Sequence, residues 1–308
     1  MSLRSHIIVV HLNIVLLAFT AHALTSDVDQ HLQNQYRNKI FLLRGFYSGG
    51  WLRYDASGTP MGTPSPGSWT VDGFILVTSA KAHGQTLMLR GRRMPVISIG
   101  QGFLFQADSP EKRSETPEVG IEAKFGPGNP IEQVDALAAK IFLTDQDSLA
   151  AIVPWYWQTC VSGGLNEAND PKYSGCRFSA ELLTIPGVNH HADLHANPEK
   201  GETNLSEHQM ASVFRVGKDI SPPRAVFTPE PNFSRLARET GLRGVVTLGL
   251  IVDDQGTPRN VHILSPLGAG LDEEAVAAIR TWKFKPAEQK GHGPVAVEIA
   301  VQVDYHTP

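Results

Sequence analysis

Five consecutive stretches near the end of the chain decide its reading: GVVTLGLIVD (Gly244–Asp253), DQG (Asp254–Gly256), RNVHILS (Arg259–Ser265), LDEEAVAAIRTWKF (Leu271–Phe284) and PVAVEIAVQVDY (Pro294–Tyr305). The first is an apolar strand, the Gly-ended step a turn, and the third a returning strand, so together they form a hairpin. In the fourth, Leu271, Ala275, Ala278, Ile279 and Trp282 recur at the three-or-four spacing of a helix and define a face that must be buried. Asp272 is its expected N-cap, with Glu273 and Glu274 in the positive first turn and Arg280 and Lys283 at the negative end. The fifth alternates strictly, Val295, Val297, Ile299, Val301, Val303 and Tyr305 against Ala296, Glu298, Ala300, Gln302 and Asp304, as in a half-exposed antiparallel strand. Hairpin, helix and strand make a small unit with Trp282 and Phe284 as anchors.

Upstream of Pro222-Pro223 the pattern is different. From Lys39 to about Phe125 short β signals follow one another. FLLRGFYS and WLRYD read as a hairpin across Gly49-Gly50, and WTVDGFILVTSA, QTLMLRGRR and VGIEAKF read as further strands. The charged stretch Gln106–Pro117 reads as a surface loop. Asn129-Pro130-Ile131-Glu132 caps a helix whose inner face is Val134, Leu137, Ala138 and Ile141, and a short helix over Ser148–Val153 stops at Pro154. The fold class expected is therefore α+β, with a β-rich domain over 24–188, a linker over 189–221 and the C-terminal unit over 222–308.

The first 23 residues carry a basic start, the apolar run Ile7–Phe19 and an Ala21-His22-Ala23 cleavage site, which reads as an export signal. An uncleaved anchor is the rival reading, but His11 and Asn13 interrupt a run shorter than the roughly 20 apolar residues of a span. In an exported compartment the two cysteines, Cys160 and Cys176, are expected to close a Gly/Asn/Pro-rich loop as a disulfide; two free buried thiols are the alternative. Trp155-Tyr156-Trp157 reads as packing around that bridge rather than as a stacking platform. His190, His191, His195 and His208 lie in a Gly/Pro-punctuated segment read as a solvated linker rather than a metal site.

Composition limits the function. With 27 Lys+Arg against 31 Asp+Glu, a net charge of −4, the chain lacks the positive field that phosphate backbones require, so no nucleic-acid partner is expected. No G-x-S-x-G, H-E-x-x-H, P-loop or close carboxylate pair stands in a supporting context, so the reading is not an enzyme and needs no cofactor or metal.

Between about residues 223 and 306 the chain resembles the C-terminal domain family of TonB, the energy transducer of the Gram-negative cell envelope. The resemblance rests on Pro229–Phe233, Ala237-Arg238, Arg243-Gly244, the D-x-x-G step Asp253–Gly256, the run Ser265–Asp272, and A-x-x-x-W-x-F-x-P over Ala278–Pro286. Ser234 and Pro266 depart from the pattern. The resemblance implies that the domain takes an extended peptide at the plug of a TonB-dependent outer-membrane receptor as an added strand. It implies Val297, Ile299, Val301 and Val303 on the edge strand, Pro229, Pro231 and Phe233 near the peptide, and Arg238 and Arg243 beside it, or simply as solvated surface. Gly244, Gly256, Trp282, Phe284 and Pro286 would be structural. Inner-membrane proton-channel proteins of the TonB system are further implied partners, and a homodimer a further arrangement. The expected place is the periplasm, reached by the N-terminal signal, or the inner membrane if that signal is an anchor. His11, with Ser5 six residues before it, does not match the closer Ser-to-His spacing of the family's anchor, a folded domain stands in place of its Pro-rich spacer, and a soluble periplasmic adaptor without proton-motive coupling is the alternative reading.

Overall fold

The computed structural model describes residues 27–100, 102–106, 118–166, 171–189, 205 and 207–306. The expected signal, the 107–117 part of the expected loop, and His190, His191 and His195 lie outside the described residues.

The chain enters on a helix, α1 (27–36), whose Val28, Leu32 and Tyr36 are spaced to bury one face. Seven strands follow: β1 (Ile40–Leu42), β2 (Trp51–Tyr54), β3 (Phe74–His83), β4 (Thr86–Arg93), β5 (Val96–Ser98), β6 (Phe103–Phe105) and β7 (Glu118–Lys124). Five make one sheet in the order β1-β3-β4-β7-β2, and β5 pairs with β6 as a separate ribbon. Helix α2 (Pro130–Ile141) has Asn129 as its cap, accepting from the Ile131 N–H at 3.1 Å, and Pro130 in its first turn. It buries Val134, Leu137, Ala138 and Ile141 in one core with α1, with Leu87 and Leu89 of β4, and with Val119, Ile121 and Ala123 of β7. Alternation on the strands and helical spacing on α2 thus meet across a single layer boundary.

Two strand expectations are corrected. FLLRGFYS and WLRYD do not form a hairpin: β1 pairs antiparallel with β3, whereas β2 lies at the far edge, parallel to β7. The carbonyls of Tyr47 and Gly49 accept instead from the buried Arg93 guanidinium at 2.7 and 3.2 Å, which carries the chain across the end of the sheet. Trp69–Gly73, read as the start of a strand, is a π-helical turn capped by the Ser68 hydroxyl, and it turns the Trp69 indole fully inward.

Helix α3 (Leu149–Ile152) falls within the expected short helix, and α4 (Trp155–Asn166) follows it directly. Cys160 and Cys176 form a disulfide with a Cα–Cα distance of 5.3 Å. The bridge does not close an irregular loop, as the Gly/Asn/Pro content suggested, but ties α4 to a 3₁₀ turn at Pro171–Cys176. The glycines serve close packing: a Cβ on Gly164 would stand 1.8 Å from the Cys176 carbonyl oxygen. Trp157, Cys160, Val161 and Gly164 are the buried stripe that marks the helix.

The remainder of the chain comprises α5 (Glu207–Met210), β8 (Phe214–Arg215), β9 (Arg224–Phe227), α6 (Arg235–Thr240), β10 (Gly244–Val252), β11 (Pro258–Ser265), α7 (Leu271–Ile279), β12 (Lys283–Lys285), β13 (Ala287–Gln289), β14 (Gly293–Val295) and β15 (Val297–Tyr305). Its main sheet has the order β11-β10-β15-β8, with β9 pairing β12 and β13 pairing β14 as small ribbons. The stretch expected as one final strand is broken at Ala296, because Pro294 and Val295 pair back onto β13 before β15 begins. Part of the expected 189–221 linker belongs to this sheet: β8 pairs with β15, and Ser221 accepts from the Glu288 N–H at 3.0 Å.

The two halves share one core. Trp69, Val96, Phe103 and Trp157 pack in the same cluster as Val246, Leu248, Leu271 and Ile279. Main-chain bonds cross the seam, from the Ser98 N–H to the Leu267 carbonyl at 2.9 Å and from the Ala269 N–H to the Val96 carbonyl at 3.0 Å. Gly268 is required there, since its φ is +83° and a Cβ would meet the Val96 oxygen at 2.5 Å.

Candidate peptide-docking edge

The C-terminal sheet begins at a hairpin locked by one carboxylate. Asp253 Oδ1 accepts from the Gln255 and Thr257 N–H groups at 3.0 and 2.7 Å, and Oδ2 from Arg259 Nε at 2.9 Å. This is the physical content of the D-x-x-G step, and Gly256 supplies its left-handed residue at φ +78°. The hairpin sets β10 beside β15, and the two pair without a register break from Gly244↔Tyr305 to Val252↔Val297.

Main-chain polar groups alternate sides along a strand. The Ala296 carbonyl accepts from the Phe214 N–H of β8 at 2.9 Å, so even-numbered residues of β15 point their N–H and C=O groups away from β10. β8 pairs in parallel with Val297 and Glu298 and stops there. Beyond it, Ala300, Gln302 and Asp304 present outward main-chain groups with no strand beside them among the described residues. These are six donors and acceptors in a row, the feature that lets a sheet take on another strand.

The residues expected to dock stand next to these in the sequence and turn their main-chain groups the other way. Val297, Ile299, Val301 and Val303 direct their main-chain groups to β10 and their side chains toward the core, Val297 and Val303 buried, Ile299 and Val301 half-buried. The other expected residues lie outside the strand. Phe233 stacks edge-on against Tyr305, with ring centroids 5.1 Å apart. The Pro229 carbonyl accepts from Trp282 Nε1 at 3.0 Å, which pins the entry segment to the end of α7. Pro231 is half-buried, and Arg238 and Arg243 are exposed. Gly244, at φ +151°, leaves room for Leu267, and Phe284 is buried beside a half-buried Pro286.

Helix α7 differs from expectation at both ends. Its N-cap is Gly270 in the left-handed conformation, and Asp272 turns back to accept from the Leu267 and Gly268 N–H groups at 2.9 and 2.7 Å. The helix ends at Ile279, leaving Lys283 in β12, and it buries Val276 where Ala278 was expected. Sequence reasoning also missed Glu273, whose Oε1 accepts from Ser68 Oγ and Trp157 Nε1, both at 2.9 Å. No local signal in the sequence links position 273 to positions 68 and 157. Among the described residues no group of three or more His, Cys, Asp or Glu is placed to hold a metal, and no helix is long and apolar enough to cross a membrane.

Residues 229–307 match the family described as Gram-negative bacterial TonB protein C-terminal. This part of the chain is similar to TonB C-terminal domains. The TonB protein of Vibrio cholerae serotype O1 is 35% identical over 77 residues, which are 25% of this chain and 31% of that protein. The chain therefore spans about a third of the length of this curated relative. The solution structure of the Pseudomonas aeruginosa TonB C-terminal domain aligns at 21% identity over 30% of this chain and 89% of that one, with a TM-score of 0.25. The TonB-like part of this chain has a folded unit on its N-terminal side, joined to it through the shared core.

Proposed function

We propose that this chain is a TonB-like cell-envelope protein whose C-terminal domain takes up an extended segment of a TonB-dependent outer-membrane receptor as an added strand, in support of energy-coupled transport. The observation that carries the reading is the unpaired main-chain edge at Ala300, Gln302 and Asp304 in a domain of this family. Backbone pairing along such an edge supplies affinity without any reactive side chain. The protein is exported to the periplasm by its N-terminal segment, or held at the inner membrane by it and coupled there to the proton-channel partners of the TonB system.

A peptide copied from a receptor plug, titrated into the full chain, is expected to perturb the amide signals of Ala300, Gln302 and Asp304. Gln302→Pro removes one outward N–H without touching the bonds to β10, and Pro is tolerated at such edge positions. It is expected to weaken binding while leaving the unfolding midpoint nearly unchanged. Unperturbed amides at saturating peptide, or undiminished binding by the variant, would refute strand addition.

A second reading, a soluble periplasmic adaptor without proton-motive coupling, is favoured by the shared core, since a transducer that reaches across the periplasm needs a spacer in that place. The mass of the mature protein from the envelope separates the two. A chain beginning at Leu24 supports the adaptor, and an intact start supports the anchored transducer.

A further inference from the structure

The strand already on this edge indicates what else the edge selects. β8 sets Phe214 beside the core-facing Val297 and Arg215 beside the solvent-facing Glu298. An aromatic thus continues the apolar side of the sheet, and a cation stands opposite a carboxylate on the outer side. The open stretch repeats the same two-sided pattern. On the inner side Ile299 and Val301 are packed against the core yet only half-buried, with no strand beside them on the open side among the described residues. On the outer side the exposed series is Glu298, Ala300, Gln302 and Asp304, which carries two carboxylates and no cation. Opposite charges directly across a strand pair stabilise it, and like charges destabilise it.

We propose that the edge selects an extended partner that alternates apolar residues, lying beside Ile299 and Val301, with basic residues on the outer face, lying beside Gln302 and Asp304. This rests on the strand-addition reading and adds to it the chemistry of the partner. Asp304 also has His306 at 3.2 Å on its own chain.

The test uses the full chain and two peptides of equal length, each with Val at alternate positions and either Lys or Glu at the others. At low salt the Lys peptide is expected to bind up to about tenfold more tightly, as an attractive pair at Asp304 for Lys and a repulsive one there for Glu permit. It is expected to shift the Ala300, Gln302 and Asp304 amides, and to lose most of its advantage at high salt. Asp304→Asn changes only an exposed side chain and is expected to bring the two affinities together. If the Glu peptide binds as well as the Lys peptide while shifting the same amides, charge selection is overturned and strand addition stands. If neither peptide shifts those amides, both are overturned.

Discussion

Glu273 holds a carboxylate in the seam between the two halves. Its Oε2 is out of reach of solvent and has no hydrogen-bond partner, although the residue as a whole is only half-buried. Burial raises its carboxyl above the ordinary glutamate range, outweighing the donors on Trp157 and Ser68. Asp272 is raised by burial and by the Glu273 charge, against the Leu267 and Gly268 N–H groups. The folded state therefore keeps protons that the unfolded chain releases, so this contribution to stability is full below the ordinary carboxylate range and is lost as pH rises through the raised one. Glu273→Gln mimics the protonated acid. Relative to the native chain it is expected to gain stability between about pH 4 and pH 7, which urea midpoints for both proteins across that range would measure. A pH-independent difference would count against the assignment. Gly256 makes the opposite kind of demand, on backbone rather than charge. At φ +78° a Cβ there would stand 1.8 Å from the Phe284 oxygen, so Gly256→Ala is expected to cost at least ~2 kcal/mol, read by thermal unfolding.

Among the elements, α4 is the one whose sequence misleads. Its Gly163-Gly164 step and the Asn/Pro content after it look like loop chemistry, but both glycines are buried where the helix passes close to the Cys176 turn. The disulfide fixes that approach. Cys160→Ala with Cys176→Ala is expected to lower unfolding free energy by about 3 kcal/mol in the loop-entropy picture, measured in denaturant under non-reducing conditions. A loss near zero would mean that burial of Trp157 and Val161 alone holds the helix. The helices α2 and α7 were legible because burial on one face leaves a period in the sequence, and β10, β11 and β15 because alternation or a continuous apolar run does the same. Which residues carry the open edge was not legible from that signal. Alternation tells which side chains face the core, but not which side of the strand already has a partner, and β8 alone reveals it. The small strand β8 was invisible for another reason: two exposed residues leave no pattern.

For the molecule as a whole, the shared core predicts one unfolding event. Trp69 and Trp157 report from the first half and Trp282 from the second, so fluorescence and backbone circular dichroism are expected to trace a single coincident urea transition. Two resolved transitions would show that the seam is weaker than its buried contacts indicate. Gly268→Ala, which forces a Cβ against the Val96 carbonyl, is expected to loosen the seam first and split that transition. By itself the sequence determined the α+β class, the hairpin, helix and strand of the C-terminal unit, the likeness of that unit to the TonB family and the cysteines available for a bridge. Each of these is written in local spacing, since periodic burial, turn chemistry and motif order all act over a few neighbouring residues. Only the tertiary structure decided that β2 runs parallel at the far edge, that Glu273 meets Ser68 and Trp157, that the two halves share a core, and that Ala300, Gln302 and Asp304 carry the open edge. These depend on contacts between residues tens to hundreds of positions apart, whose partners are selected by the packing of the whole chain and leave no mark on the local pattern.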